Sequence, residues 1–136
     1  MTPMLTMVID DSRAMRLILK RIVAQLGFDV VEAGNGKEAM DYLEGALDRG
    51  EGELPGLALV DWNMPEMNGL EFVTAVRAEP RLRNMTLMMV TTESEQSQIV
   101  RALAAGAHEY VIKPFTPDAI IDKLHLLGLV PNGVAA

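Results

Sequence analysis

The sequence predicts an α/β fold in which five parallel strands alternate with five helices, a doubly wound sheet covered on both faces. Three observations carry that prediction. Five short apolar runs alternate along the chain with five stretches of helical periodicity. The run 57–60 is apolar throughout and 85–90 is apolar but for Thr86, the pattern of strands buried on both faces. Four of the five runs end in acidic, hydroxyl or basic residues, so polar groups collect where the strands end. Short right-handed crossovers leave few topologies, and the flavodoxin-like strand order 2-1-3-4-5 is the one expected.

Length and composition frame this reading. At 136 residues the chain is one domain by length and large enough to fold around its own core. It reads as a single unit, residues 1–136, with a core from about residue 4 to 129 and a flexible tail over 130–136. There is no cysteine, which excludes a disulfide framework and zinc–thiolate sites and fits a reducing cytoplasm. Hydrophobic residues make up 49 % but aromatics only 4 %, so the core is aliphatic, with the 10 Met residues among its fillers. A net charge of −7 argues against nucleic acid as a ligand, because phosphate binding needs a basic surface. The N-terminal stretch carries no basic region and no apolar run reaches membrane-spanning length, so neither export signal nor anchor is expected.

Taken in order, residues 5–9 form the first strand and run into Asp10-Asp11-Ser12. Met15, Ile18, Leu19, Ile22, Val23 and Leu26 then recur at helical spacing, closed by Gly27. Arg13, Arg16 and Lys20 fall on another face, either a solvated basic surface or a docking surface for an acidic partner. The second strand, 28–33, leads to Asn35 as a cap, and a helix from 36 to about 47 turns Ala39, Met40, Leu43 and Leu47 inward. Residues 48–53 are polar and contain glycine, and read as a mobile surface loop. The third strand, 57–60, delivers Asp61, after which Pro65 and Gly69 break the chain. Leu70, Val73 and Val76 mark a helix that stops near Pro80. The fourth strand, 85–90, ends in Thr91-Thr92, and residues 93–98 open a helix with Ile99, Val100, Leu103 and Ala104 inward and Gly106 near its end. The fifth strand, 110–112, precedes Lys113-Pro114-Phe115. Thr116-Pro117-Asp118 then starts the last helix, with a capping hydroxyl, proline at the first helical position and an acid facing the dipole.

This alternation brings Asp10, Asp11, Asp61, Thr91 and Lys113 to one rim. Alone, each has an ordinary role as a turn former, helix cap, strand-end hydroxyl or exposed lysine. Their joint arrival changes the reading. Carboxylates within about 4–6 Å repel by roughly 3–4 kcal/mol per pair at an effective dielectric near 20. A hard divalent cation relieves that repulsion, and oxygen donors without His or Cys point to Mg2+ or Mn2+. Such a cation beside a carboxylate, an ammonium and a hydroxyl suits phosphoryl transfer. The cation and Lys113 would neutralise phosphoryl oxygens, Thr91 would donate to another, and Asp61 would attack phosphorus to give an acyl phosphate. His108, a single histidine with no paired ligand, reads as an ordinary surface or core residue.

The segments Val8-Ile9-Asp10-Asp11-Ser12, Val60-Asp61-Trp62-Asn63-Met64-Pro65, Met89-Val90-Thr91-Thr92-Glu93 and Tyr110-Val111-Ile112-Lys113-Pro114-Phe115 resemble, in order and spacing, the four signatures of bacterial response-regulator receiver domains. The resemblance covers nearly the whole chain and is closest to single-domain chemotaxis regulators of the CheY type. It implies that Asp61 is the phosphoacceptor for a histidine kinase. Asp11, Asp61 and the backbone carbonyl of Asn63 would bind Mg2+, with Asp10 acting largely through metal-bound water. Thr91 and Tyr110 would be the switch residues, remodelling the surface of the fourth helix, fifth strand and fifth helix. Lys113 would pair with the phosphoryl group, and Pro114 resembles a cis-linked proline. Asn63 and Glu93 occupy the positions that tune the lifetime of the acyl phosphate. Thr92 departs from the Ala or Gly of many receivers and would hinder access of water or a phosphatase, and the loop from Gly50 to Pro55 is longer than usual.

The resemblance further implies no catalytic turnover beyond the chain's own phosphorylation and dephosphorylation. Its partners would be a histidine kinase and a downstream protein, whether a flagellar motor switch, a histidine phosphotransfer protein or another effector. The chain would be a monomer or a phosphorylation-dependent dimer. Two other classes fit less well. An aspartyl-nucleophile phosphatase needs an acid two residues after its nucleophile, where Asn63 follows Asp61 and Ser12 follows Asp10. A flavin carrier would cradle phosphate in its first loop, where Asp10-Asp11 would repel it.

Overall fold

The computed structural model describes residues 4–50 and 54–129. The expected loop over 48–53 and the tail over 130–136 therefore fall partly or wholly outside the described residues, and residues 48 and 49 prove to be helical. Strands and helices alternate strictly: β1 (Leu5–Ile9), α1 (Arg13–Gln25), β2 (Asp29–Ala33), α2 (Gly36–Arg49), β3 (Leu57–Val60), α3 (Gly69–Ala78), β4 (Thr86–Thr91), α4 (Gln96–Ala105), β5 (Glu109–Ile112) and α5 (Pro117–Leu126). A 3-10 turn, Pro80–Leu82, follows α3. All strand pairs are parallel and the order is β2-β1-β3-β4-β5, as the alternation predicts.

Side chains alternate across the sheet and separate two cores. Met7, Ile9, Ala58, Val60, Leu87 and Met89 face α2, α3 and Ala102 of α4. Val8, Leu57, Leu59, Met88, Val90 and Val111 face α1 and α5 through Leu19, Ile22, Val23, Ile120, Ile121 and Leu124. The inner strand β3 is buried along its whole length, whereas the edge strand β2 is largely half-buried or exposed. Asn35, Asn68 and Thr116 cap α2, α3 and α5 through their side chains, and Glu71 completes a capping box with Asn68.

Two helical faces differ from the sequence expectation. Ile18 is outward beside Leu17, because α1 presents only Leu19, Ile22 and Val23 fully to the sheet. α4 begins at Gln96, later than expected, and rests on Ala102, while Val100, Leu103 and Ala104 are exposed. The sequence pattern was ambiguous there, since apolar residues occupy both sides of the helix. On α3, fully buried Phe72 joins Val73 and Val76 as a main anchor, while Leu70 is only half-buried.

His108 proves less ordinary than its sequence context suggests. Its Nδ1 accepts the Leu87 N–H at 3.1 Å, which requires an unprotonated Nδ1, and Arg77 Nη2 lies 3.1 Å from the same atom. Arg77 also donates through Nε to the Gly106 carbonyl at 3.0 Å. A Cβ on Gly106, whose φ is +125°, would collide with the Arg77 side chain. Burial first, and the Arg77 charge second, hold His108 below the ordinary imidazole value of 6.5. The folded state thus binds fewer protons here than the unfolded chain. This contribution to stability is full above about pH 6.5 and is lost as pH falls through the folded value. His108→Asn keeps an acceptor in place without titrating. Its stability relative to wild type, measured by urea unfolding, should therefore improve as pH is lowered from about 7.5 to 5.5.

Thr6 in β1 is fully buried on the α1/α5 side, paired with Val30 and Leu57, and among the described residues its hydroxyl is the buried side-chain group without a partner. Thr6→Val keeps the shape and removes that hydroxyl. It should stabilise the fold by about 1 kcal/mol, read as a higher urea midpoint at unchanged slope.

Candidate functional site

The rim residues are held in place by the sheet itself. Asp10 N–H donates to the Ala33 carbonyl at 3.1 Å, Asp61 N–H to Ile9 at 2.9 Å and Lys113 N–H to Thr91 at 2.8 Å. The ladder thus runs one residue past each strand, and the functional side chains leave from backbone positions fixed by hydrogen bonds. Gly69 completes this floor. Its N–H donates to the Trp62 carbonyl at 2.9 Å, and any Cβ there would strike the Asp61 carbonyl oxygen, so α3 can start only against a glycine.

Above this floor, carboxylate oxygens of Asp10, Asp11 and Asp61 lie within 4.8 Å of one another. Asp10 and Asp61 are buried and Asp11 is exposed. Lys113 Nζ is 2.7 Å from Asp10 Oδ2 and 3.6 Å from Asp61 Oδ2, bridging the two buried acids. The other Asp10 oxygen accepts the Ser12 N–H at 2.9 Å. Asp61 Oδ1 accepts the Trp62 N–H at 2.8 Å. Burial pushes the Asp61 carboxyl above its ordinary range. Lys113 opposes this, Asp10 reinforces it, and the Thr91 hydroxyl and Trp62 N–H oppose it further. Three negative charges against one ammonium leave two uncompensated, and the donors are all oxygens. That set fits a divalent, hard cation.

The positions that the resemblance implies for switching and tuning are joined at Glu93. Asn63 Nδ2 donates to Glu93 Oε1 at 2.7 Å, and the Tyr110 hydroxyl donates to the Glu93 carbonyl at 2.6 Å. Thr91 is fully buried, and its Oγ1 accepts the Glu93 N–H at 3.3 Å. Burial, then the charges of Glu93 and Asp61, raise the Tyr110 phenol, which stays protonated as a donor. Thr92 is exposed on the outer side of this loop. Glu93, expected to open the fourth helix, instead lies in the loop before it. The Lys113–Pro114 peptide is cis, as the resemblance implies.

The structure thus gathers Asp10, Asp11, Asp61, Thr91 and Lys113 at one centre, with Asn63, Glu93 and Tyr110 joined beside it. It also adds groups that sequence reasoning missed. The Ser12 and Trp62 amides each hold a carboxylate, and Arg16 donates to the Asp10 carbonyl at 2.6 Å and pairs with Glu32 at 3.1 Å. Arg16 is therefore committed to the strand end rather than free on a basic face. Backbone amides leave no mark in a sequence, and Arg16 and Glu32 meet only through the β1–β2 pairing.

A buried carboxylate centre at the switch point of a 2-1-3-4-5 sheet defines a receiver-type domain, and the comparisons agree. The sequence pattern of the response regulator receiver domain matches residues 6–125, and the chain belongs to that family. Within the family it is CheY-like. It is 41 % identical over 122 residues to chemotaxis protein CheY1 of Helicobacter pylori, covering 89 % of this chain and 94 % of that protein. It is 45 % identical over 119 residues to the chemotaxis protein CheY homolog of Campylobacter jejuni, covering 87 % of each. The structure of the chemotaxis response regulator CheY4 of Vibrio cholerae superposes with a TM-score of 0.81 at 28 % identity, covering 93 % of this chain and 99 % of that one. Among the described residues no helix is long and apolar enough to cross a membrane.

The charge balance gives a direct test. Asp11→Asn should weaken Mn2+ binding at least about tenfold in a relaxation titration. Without metal it should raise the melting temperature, because two like-charge pairs, with Asp10 and with Asp61, each worth up to roughly 3–4 kcal/mol before solvent screening, have gone.

Proposed function

We propose that the chain is a phosphorylation-controlled switch of a two-component system, accepting a phosphoryl group from a histidine kinase on Asp61. The observation that supports this reading most directly is the buried Asp10–Lys113–Asp61 cluster beside the Thr91 hydroxyl. An Asp61 oxygen attacks phosphorus, the P–N bond to the donor histidine breaks, and the imidazole leaves with the bonding pair. Asp11, Asp61 and the Asn63 carbonyl would hold Mg2+ or Mn2+, with Asp10 acting largely through metal-bound water, and the ion would supply charge neutralisation for the transferring oxygens. Lys113, already 3.6 Å from Asp61 Oδ2, neutralises a second oxygen, and the Thr91 hydroxyl donates to a third. The Asn63–Glu93 hydrogen bond lies along one side of the acceptor, where it and Thr92 set how readily water reaches the acyl phosphate. The chain performs no turnover on other molecules; its chemistry is on itself.

Output follows from the new charge. Drawing Thr91 toward a phosphoryl oxygen pulls on the loop whose Glu93 carbonyl holds Tyr110, and so on α4 and β5. The exposed side chains Val100, Leu103, Ile112 and Leu126 give that face an apolar surface for a downstream partner. The named relatives are chemotaxis proteins, which supports a chemotaxis role here; the downstream partner would then be a flagellar motor switch, with a histidine phosphotransfer protein or another effector as the alternative. The chain would act in the cytoplasm, as a monomer or a phosphorylation-dependent dimer.

Trp62 fluorescence provides the assay. MgCl2 and then acetyl phosphate should each change the emission of the wild type, and intact mass should show one added phosphoryl group. Asp61→Asn should abolish the mass change and the phosphodonor response. Absence of any phosphorylated wild-type species would sink the proposal.

A further inference from the structure

Helix α4 is tied to the body by few side chains. Ala102 is its buried residue, and its N-cap Glu95 makes no side-chain capping bond. One tie reaches the acceptor loop: the Arg101 guanidinium lies over the Trp62 ring, 5.9 Å from its centroid. The guanidinium is oriented from its own helix, with Nη1 donating to Gln98 Oε1 at 3.1 Å. Trp62 is a junction residue. Its ring packs into the core with 6 % of the residue exposed, its carbonyl accepts the Gly69 N–H at 2.9 Å, and its own N–H donates to Asp61 Oδ1 at 2.8 Å.

Ring and amide hang from the same Cα, so a ring held in place resists displacement of the Trp62 backbone and of its amide. The hydrogen bond to Asp61 Oδ1 is short and charge-assisted, and it holds the carboxylate in one orientation. The core fixes the ring from below, and α4 covers it through Arg101. A flat guanidinium suits this place, since it stacks on an aromatic face while its edge still donates to Gln98.

We propose that Arg101 is a positioning residue for the chemistry of Asp61: it clamps the Trp62 ring from the α4 side and so keeps the Trp62 N–H on the Asp61 carboxylate. This rests on Asp61 being the phosphoacceptor. The link is reciprocal. A displacement of α4 withdraws the cation from the ring and loosens the carboxylate, and a change at the carboxylate is felt at α4 through the same contact.

The test compares wild type, Arg101→Ala and Arg101→Lys, with acetyl phosphate and Mg2+ as reagents. Phosphorylation is followed by intact mass and resolved into a maximal rate and a half-saturating phosphodonor concentration. Acrylamide quenching of Trp62 and Mn2+ binding are measured on the same proteins. Arg101→Ala should lower the maximal rate about two- to five-fold, the size open to one cation–π contact at a solvent-facing position. Trp62 should become easier to quench while Mn2+ affinity stays the same, and Arg101→Lys should recover part of the rate. An Arg101→Ala protein that reacts at the wild-type rate overturns this proposal alone, and so does one whose loss merely follows a loss of Mn2+ affinity. A wild type that takes up no phosphoryl group overturns the Asp61 assignment and this proposal together.

Discussion

Everything at the carboxyl rim depends on one arrangement: two buried carboxylates, Asp10 and Asp61, bridged by the ammonium of Lys113. The bridge joins positions 103 residues apart in the chain, so it exists only when the first and last strands have both found their places around β3 and β4. Buried ionised groups are costly unless paired and hydrogen-bonded. Here each acid has an amide on one oxygen and the lysine near the other, which keeps the charge tolerable while leaving an excess of negative charge. That residual charge is the chemical potential of the site. It suits a divalent cation, which brings the compensating positive charge.

The rest of the fold divides between rigidity and give. β1 and β3 are buried on both faces, and their ladder bonds extend into Asp10 and Asp61, so the acceptor floor cannot shift without breaking the sheet. α4 is the contrasting element. It lacks a side-chain cap, buries only Ala102, and shows solvent an apolar surface at Val100 and Leu103. Its connections to the site run through the loop at Glu93 and through Arg101 on Trp62. A weakly held helix joined to a rigid, charge-stressed floor is suited to a shift of population under a small perturbation, since elements that move are drawn from the less stable parts of a fold.

Kinship with CheY-type chemotaxis proteins accounts for the common frame, and several features of this chain modulate it. Thr92 adds bulk on the exposed side of the Thr91 loop, while Asn63 and Glu93 are hydrogen-bonded to each other beside it. At the far end of the sheet, Arg77 gathers the Gly106 and Arg83 carbonyls and the His108 ring. It thereby fixes the exit of α4 and the entry to β5 from α3, so α4 is tied at its C-terminal end and has no side-chain cap at the end nearer the acidic centre.

The sequence by itself determined the strand order, the residues that meet at the rim and the family. Apolar runs and period-3.6 patterns report local structure, and the right-handed crossover rule then leaves few ways to assemble it. Asp10, Asp11, Asp61, Thr91 and Lys113 were legible because each ends an apolar run, and Asn35 and Thr116 because capping is local. Only the tertiary structure decided which side of α4 and of α1 faces outward, because Val100, Leu103 and Ile18 satisfy an apolar pattern that does not say where the sheet lies. It alone decided that Arg16 serves the Asp10 carbonyl, that His108 must stay neutral beside Arg77, and that Arg101 reaches Trp62. Each of these contacts joins residues from different elements or a side chain to a backbone group, and no spacing along the chain encodes such a meeting until the sheet has brought the elements together.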